Sequence, residues 1–212
     1  MAPPPEGWRR RLARPKETMK RRSLKIIHDE HASLAAVLHS ARMMVDRGPT
    51  GDHRSFFETL RAMLFYIDEF PERLHHPKET GLLFPRVVQS VPALSATVAQ
   101  LNRDHDFTET AVRDLGHLLL AWELLGDVRK TAFVDGFTRY LERYLTHMQL
   151  EEREILPAAE KHLGEADWQI LDAAFEQNRD PLTGNYKPDP QFAELFSRIL
   201  RGAPAPIGLG NR

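Results

Sequence analysis

Residues 75–85 read HHPKETGLLFP and residues 147–157 read HMQLEEREILP. Each stretch spells a histidine, three residues, a glutamate, an apolar pair and a proline, so that His75, Glu79 and Pro85 match His147, Glu151 and Pro157. Positions i and i+4 share one face of a helix, and each His-x-x-x-Glu therefore aims an imidazole and a carboxylate at one point. Burying an ionised glutamate among apolar residues is costly unless it is paired or coordinates a cation. Two further histidines interrupt apolar seams, His31 in HDEHASL and His105 in NRDHDFT, separated by nearly the interval that separates His75 from His147. Four imidazoles and two carboxylates with no thiolate suit iron, manganese or zinc. Between two metals each carboxylate can bridge, with a bridging oxide or hydroxide meeting the remaining charge.

These residues need helices to hold them. Ile27, His31, Leu34, Leu38, Ala41 and Val45 recur in three- and four-residue steps and define a helix A, which DRGPTGDH ends. Phe56, Leu60, Leu64, Ile67 and Leu74 define helix B, where Pro71 and Pro77 each remove a backbone donor and predict a kink. Leu94, Val98, Leu101, His105, Thr108, Val112, Leu115, Leu119 and Trp122 form the seam of helix C. Phe133, Phe137, Tyr140, Tyr144, His147, Glu151 and Ala158 form that of helix D. The prediction is an all-α, up-down-up-down four-helix bundle with extra C-terminal helices. Helices A and B form one hairpin and C and D its copy, each with a His and a His-x-x-x-Glu. Pro77 interrupts only the first copy, so helix B is the side expected to be distorted and to leave a coordination position open.

Domain organisation follows the same punctuation. Residues 1–22 carry most of a basic cluster beginning at Arg9 and read as a flexible tail, and residues 23–163 as the bundle. Residues 164–212 hold two short helical patterns, EADWQILDAAFEQ and QFAELFSRIL, around a turn-rich NRDPLTGNYKPDP, and end in a Pro/Gly-rich tail. They are too short for a core of their own and read as a cover on the bundle.

Composition removes other classes. The 212 residues include no cysteine, which excludes disulfides, thiolate metal sites and cysteine nucleophiles. A formal net charge of −1 gives no reason to expect nucleic acid or a membrane as partner. No apolar run approaches the roughly 20 residues that span a bilayer, and the N-terminus lacks a secretory apolar stretch, so a cytoplasmic location is expected. Glu72 to His75 is the one Glu-x-x-His, where ferritin-like sites need two, and no His-Glu-x-x-His, phosphate loop or nucleophile elbow is present.

Together, EHASL, HHPKETGLLFP, RDHDFTE and HMQLEEREILP resemble the four ligand segments of the hemerythrin-like, or HHE cation-binding, domains, over roughly residues 24–163. The resemblance implies a four-helix bundle around a non-haem di-iron centre: two Fe ions, oxo- or hydroxo-bridged. It makes His31, His75, His105 and His147 terminal ligands and Glu79 and Glu151 bridges. Oxygen-carrying hemerythrins add a second histidine one turn along helix C, where this chain has Glu109. A four-His, two-Glu set is more similar to the family's di-iron proteins of nitrosative stress and iron–sulfur repair, although their Cys-containing N-terminal domain is not in this chain.

The neighbouring polar residues have simpler readings. Glu109 is either a seventh ligand or a solvated carboxylate, and the solvated reading is preferred. His28 lies in an outer layer or on the flank. His76, adjacent to His75, should point away from the ligand face, to the surface or an outer layer. Glu152 is an alternative to Glu151, which the repeat register favours. His39, His53, His117 and His162 are ordinary. Tyr140 and Tyr144 lie on the ligand stripe as core aromatics or as donors to a bound oxygen ligand. The function expected is binding or sensing of oxygen, nitric oxide or peroxide, or iron handling under oxidative or nitrosative stress. The alternatives are a di-iron peroxidase or oxidase and a metal-free helical scaffold.

Overall fold

A computed structural model describes residues 21–210, so most of the expected basic tail lies outside the described residues. Those residues form helices and turns with no strand. Helix α1, Arg22–Arg47, buries Ile27, Leu34, Val37, Leu38, Ala41 and Val45 on one face and ends at Gly48, whose φ of 72° few other residues adopt without strain. Asp52 then caps α2, His53–Ile67, its carboxylate accepting from the backbone N–H groups of Arg54 and Ser55.

Helix B is not broken at its prolines. It runs on through a π-helical turn, Asp68–His75, a short α3, His76–Lys78, a second π-helical turn, Glu79–Leu83, and α4, Phe84–Ser90. The His76 N–H bonds the Pro71 carbonyl and the Phe84 N–H bonds the Glu79 carbonyl, five residues back in each case. A proline ring clashes with the carbonyl four residues before it, and one extra residue in the turn makes the room while the helix continues. After α5, Ser95–Leu125, and α6, Lys130–Leu150, the device recurs in helix D. There Glu151–Ile155 is π-helical, and the Leu156 N–H bonds the Glu151 carbonyl immediately ahead of Pro157 in α7, Leu156–His162. The turn after the glutamate is therefore shared, because the proline six residues on is present in both copies, while the π-helical stretch Asp68–His75 distorts helix B alone.

Four rods result. Helix α5 packs on α6 and on α2, and α1 packs on both α2 and α6. Beyond them, α8, Glu165–Phe175, lies on α1, and α9, Ala193–Gly202, lies on α2. The apolar core is in two clusters. One gathers residues such as Val37, Leu60, Ile67, Leu119, Trp122 and Phe137, and α9 adds Phe196 and Ile199 to it. The other gathers Ile27, Phe84, Leu101 and Leu156, to which α8 adds Trp168, Leu171 and Phe175. Each rod passes through both clusters and, between them, through one polar layer.

Candidate metal centre

The polar layer is where the seams change type. On α1 it comprises Glu30 and His31, on helix B Glu72, His75, His76 and Glu79, on α5 Asp104, His105 and Thr108, and on helix D His147 and Glu151, all of them buried. Glu79 and Glu151 are 0% exposed, a burial that carboxylates tolerate only with compensating positive charge.

Two groups of side chains converge here, and they share a member. His31, His75, Glu79 and Glu151 each offer a ligand atom within 4.8 Å of the others, and so do His76, Glu79, His105 and His147. Glu79 lies between the groups: Oε1 is 2.6 Å from His75 Nε2 and 4.0 Å from His31 Nε2, while Oε2 is 3.4 Å from His105 Nε2. Glu151 also faces both, its Oε2 3.6 Å from His31 Nε2 and 3.9 Å from His147 Nε2. His105 and His147 meet Nε2 to Nε2 at 3.2 Å. All six residues singled out by the repeat are thus brought together.

The other ring nitrogens face outward, to partners of unequal strength. His31 Nδ1 meets Glu152 at 2.9 Å, His75 Nδ1 meets Glu30 at 2.6 Å, and His105 Nδ1 meets the Thr80 hydroxyl at 2.9 Å. His147 Nδ1 has Asp104 at 3.9 Å, too far for a hydrogen bond. Such outer contacts fix the ring so that Nε2 presents its lone pair inward.

His76 is the residue that helical arithmetic misplaced. It is buried, stacks on His105 with ring centroids 3.8 Å apart, and belongs to the second group. A π-helical turn carries more residues per revolution than an α-helical one, so neighbouring side chains diverge by a smaller angle and both His75 and His76 face inward. Its Nδ1 contacts Glu72 at 2.8 Å and its Nε2 the Tyr144 hydroxyl at 2.9 Å. Thr108 and Tyr140 also donate to Glu72, whose carboxyl burial pushes up to about 8 against those hydrogen bonds. Glu152 stays at the rim, Glu109 is exposed and paired with Arg113 at 2.9 Å, and His28 is an exposed flank residue 3.6 Å from Glu152. His39, His53, His117 and His162 are all exposed.

The buried carboxyls and imidazoles shift one another strongly. Burial and the adjacent Glu79 charge push the Glu151 carboxyl well above the usual range. Burial acts on Glu79 in the same sense, but the charge of His75 and the close approach of the His105 and His75 rings outweigh it and hold that carboxyl low. Burial likewise disfavours a charged His75, yet Glu79 and Glu30 raise it well above the ordinary imidazole value. Both oxygens of Glu79, both of Glu151 and His75 Nε2 are fully buried and make no aligned hydrogen bond, despite the 2.6 Å approach of His75 to Glu79. Inward lone pairs that converge without hydrogen-bond alignment fit a cation, and imidazole with carboxylate is a donor set for first-row metals.

A cavity of about 10 Å³, room for one water-sized group, adjoins the first group between His31, His75, His76, Leu34 and Phe70, with Asn178 and Asp180 on its outer wall.

The model of the hemerythrin HHE cation-binding domain matches residues 22–159. Comparison with curated proteins and with solved structures returns no match. The match takes in every rod and every residue of both buried groups, and this chain belongs to the hemerythrin HHE cation-binding domain family.

Proposed function

We propose that the polar layer holds two iron ions in a bundle of up-down-up-down order and binds a small ligand, oxygen, nitric oxide or peroxide, beside them. The observation that carries this reading is Glu79, which directs one oxygen to each of two buried donor groups. In this reading His31 and His75 serve one ion, His105 and His147 the other, Glu79 and Glu151 lie between them, and His76 adds a fifth imidazole. Bound iron supplies reversible one-electron chemistry and exchangeable coordination positions. The protein's own part is to orient the imidazoles through Glu152, Glu30 and Thr80 and to keep bulk water out with two apolar clusters. The adjoining cavity limits the ligand to a few atoms. The short links between rods support the alternating order. No helix among the described residues is long and apolar enough to cross a membrane. A cytoplasmic role in oxidative or nitrosative stress is the setting in which such a ligand site is useful.

Enzymatic turnover is the second reading. Tyr144, Tyr140 and Glu72 set two hydroxyls and a carboxyl beside His76, a store of protons that a purely reversible binder does not need. Multiple turnover of hydrogen peroxide by iron-loaded protein separates the two readings.

The decisive experiment is metal analysis with an optical spectrum on protein produced with ample iron. About two irons per chain and ferric charge-transfer bands are expected. Protein that takes up no metal overturns the reading, and a single zinc removes its redox chemistry, since zinc has none.

A further inference from the structure

Residues beyond 159 lie outside the family match, yet several of them reach the wall of the polar layer. Helix α8 delivers Phe175 against the His75 ring, with centroids 5.8 Å apart, and the chain then turns inward. Asn178 is buried, and its Nδ2 donates to Glu30 Oε2 at 2.9 Å. That same oxygen is the one 2.6 Å from His75 Nδ1. The Asn178 Oδ1 in turn accepts from the Lys78 ammonium, one residue before Glu79. The carboxamide therefore has its donor and its acceptor both committed, which fixes which way round it sits.

The backbone at this point is also unusual. Arg179 has a φ of 47°, the only positive value at a non-glycine among the described residues. That conformation turns Asn178 and Asp180 to the same buried side, where both line the small cavity. Strain of this kind persists where the surroundings require a particular placement.

We propose that Asn178 is a positioning residue for the metal centre, contributed by the C-terminal extension. It holds Glu30 in place through one N–H, and Glu30 holds His75. The shared oxygen gives the contact an electronic side as well. An N–H from Asn178 takes up part of the Glu30 charge, so its loss changes what the His75 ring donates through Nε2 and shifts the ferric bands, while the loosening of Glu30 is the larger effect and sets the rate of release. The inference rests on the di-iron reading, and its test separates the two.

Iron-loaded parent, Asn178→Asp and Asn185→Ala are compared by ferric absorption spectrum, rate of iron release to a chelator, and melting temperature. Asn178→Asp keeps size and the acceptor for Lys78 but removes the donor to Glu30. Asn185→Ala removes a hydrogen bond from the same extension to Asp29, away from the imidazoles. Asn178→Asp should shift the ferric bands and release iron about tenfold faster, the lower end for loss of an outer partner. Asn185→Ala should keep the parent spectrum and release rate. A parent without iron overturns the di-iron reading and the inference with it. An iron-loaded parent matched by Asn178→Asp in bands and release overturns the assignment of Asn178 alone, as does an equal change in Asn185→Ala. Should Asn178→Asp not fold, Lys78→Met, at a half-buried position, frees the carboxamide from its other end. A folded Lys78→Met with shifted bands supports the assignment, and one with the parent spectrum overturns it.

Discussion

The two hairpins use the same spelling for unequal ends. Glu30 precedes His31 and Asp104 precedes His105, and each carboxylate reaches toward the His-x-x-x-Glu histidine of its own hairpin. Glu30 arrives at 2.6 Å from His75, while Asp104, one methylene shorter, stops 3.9 Å from His147. Asp104 is instead engaged by Arg143 at 2.7 Å and Gln100 at 3.0 Å. The inner positions diverge as well, since the position of His76 in the first hairpin is held by Met148 in the copy. A near-symmetric donor set thus sits in an asymmetric outer layer, and the His75 side has the stronger pull on its ring. The lesson is that a repeat can conserve where ligands stand while outer contacts set them to different strengths.

The largest effect is expected where the two halves meet. Glu79→Gln removes the charge that faces both groups, and metal analysis should show loss of both irons rather than one. Retention of one iron would mean that Glu79 serves a single half.

The outer carboxylates test the difference directly. Glu30→Gln should speed iron release about 10–100-fold, as loss of a close outer partner does. Asp104→Asn should leave release near the parent rate, because no hydrogen bond to His147 is lost. Equal effects from the two variants would make the halves equivalent and break the comparison.

A separate effect, on stability and dependent on pH, belongs to the first half alone. Burial raises the Asp180 carboxyl to about 6, against hydrogen bonds from the Tyr66 hydroxyl and the Leu182 N–H. The folded state therefore holds this proton more tightly than the unfolded chain. Its contribution is favourable at low pH and is lost as pH rises from about 4 to about 6, on the order of 3 kcal/mol at full effect. Denaturant titrations across that range should show a gap between parent and Asp180→Asn that changes in this sense. A constant gap would place the Asp180 pKa at its ordinary value.

Helices and the convergence of the six repeated residues were legible because both follow from a period of 3.6 and the cost of buried charge. His76 was not, since adjacent residues diverge too far on an α-helix to share a site, and the wide turn that brings them together depends on Pro71 and the packing around it. The outer carboxylates Glu30 and Asp104 left a faint signal, an acidic residue before a seam histidine in both copies, but they serve the next helix and not their own neighbour. Asn178 left none. Its role depends on a non-glycine residue in a left-handed conformation, which turn composition alone does not predict.

The polar layer also has a meaning for folding. It cuts the interior into two apolar clusters, and neither is the whole core of a chain this long. Cations seated in that layer, as in the di-iron reading, are the mortar between two small cores, tying all four rods at one level. Binding confined to the folded state adds directly to its stability. In that reading iron supply sets how stable the folded chain is as well as what it can bind.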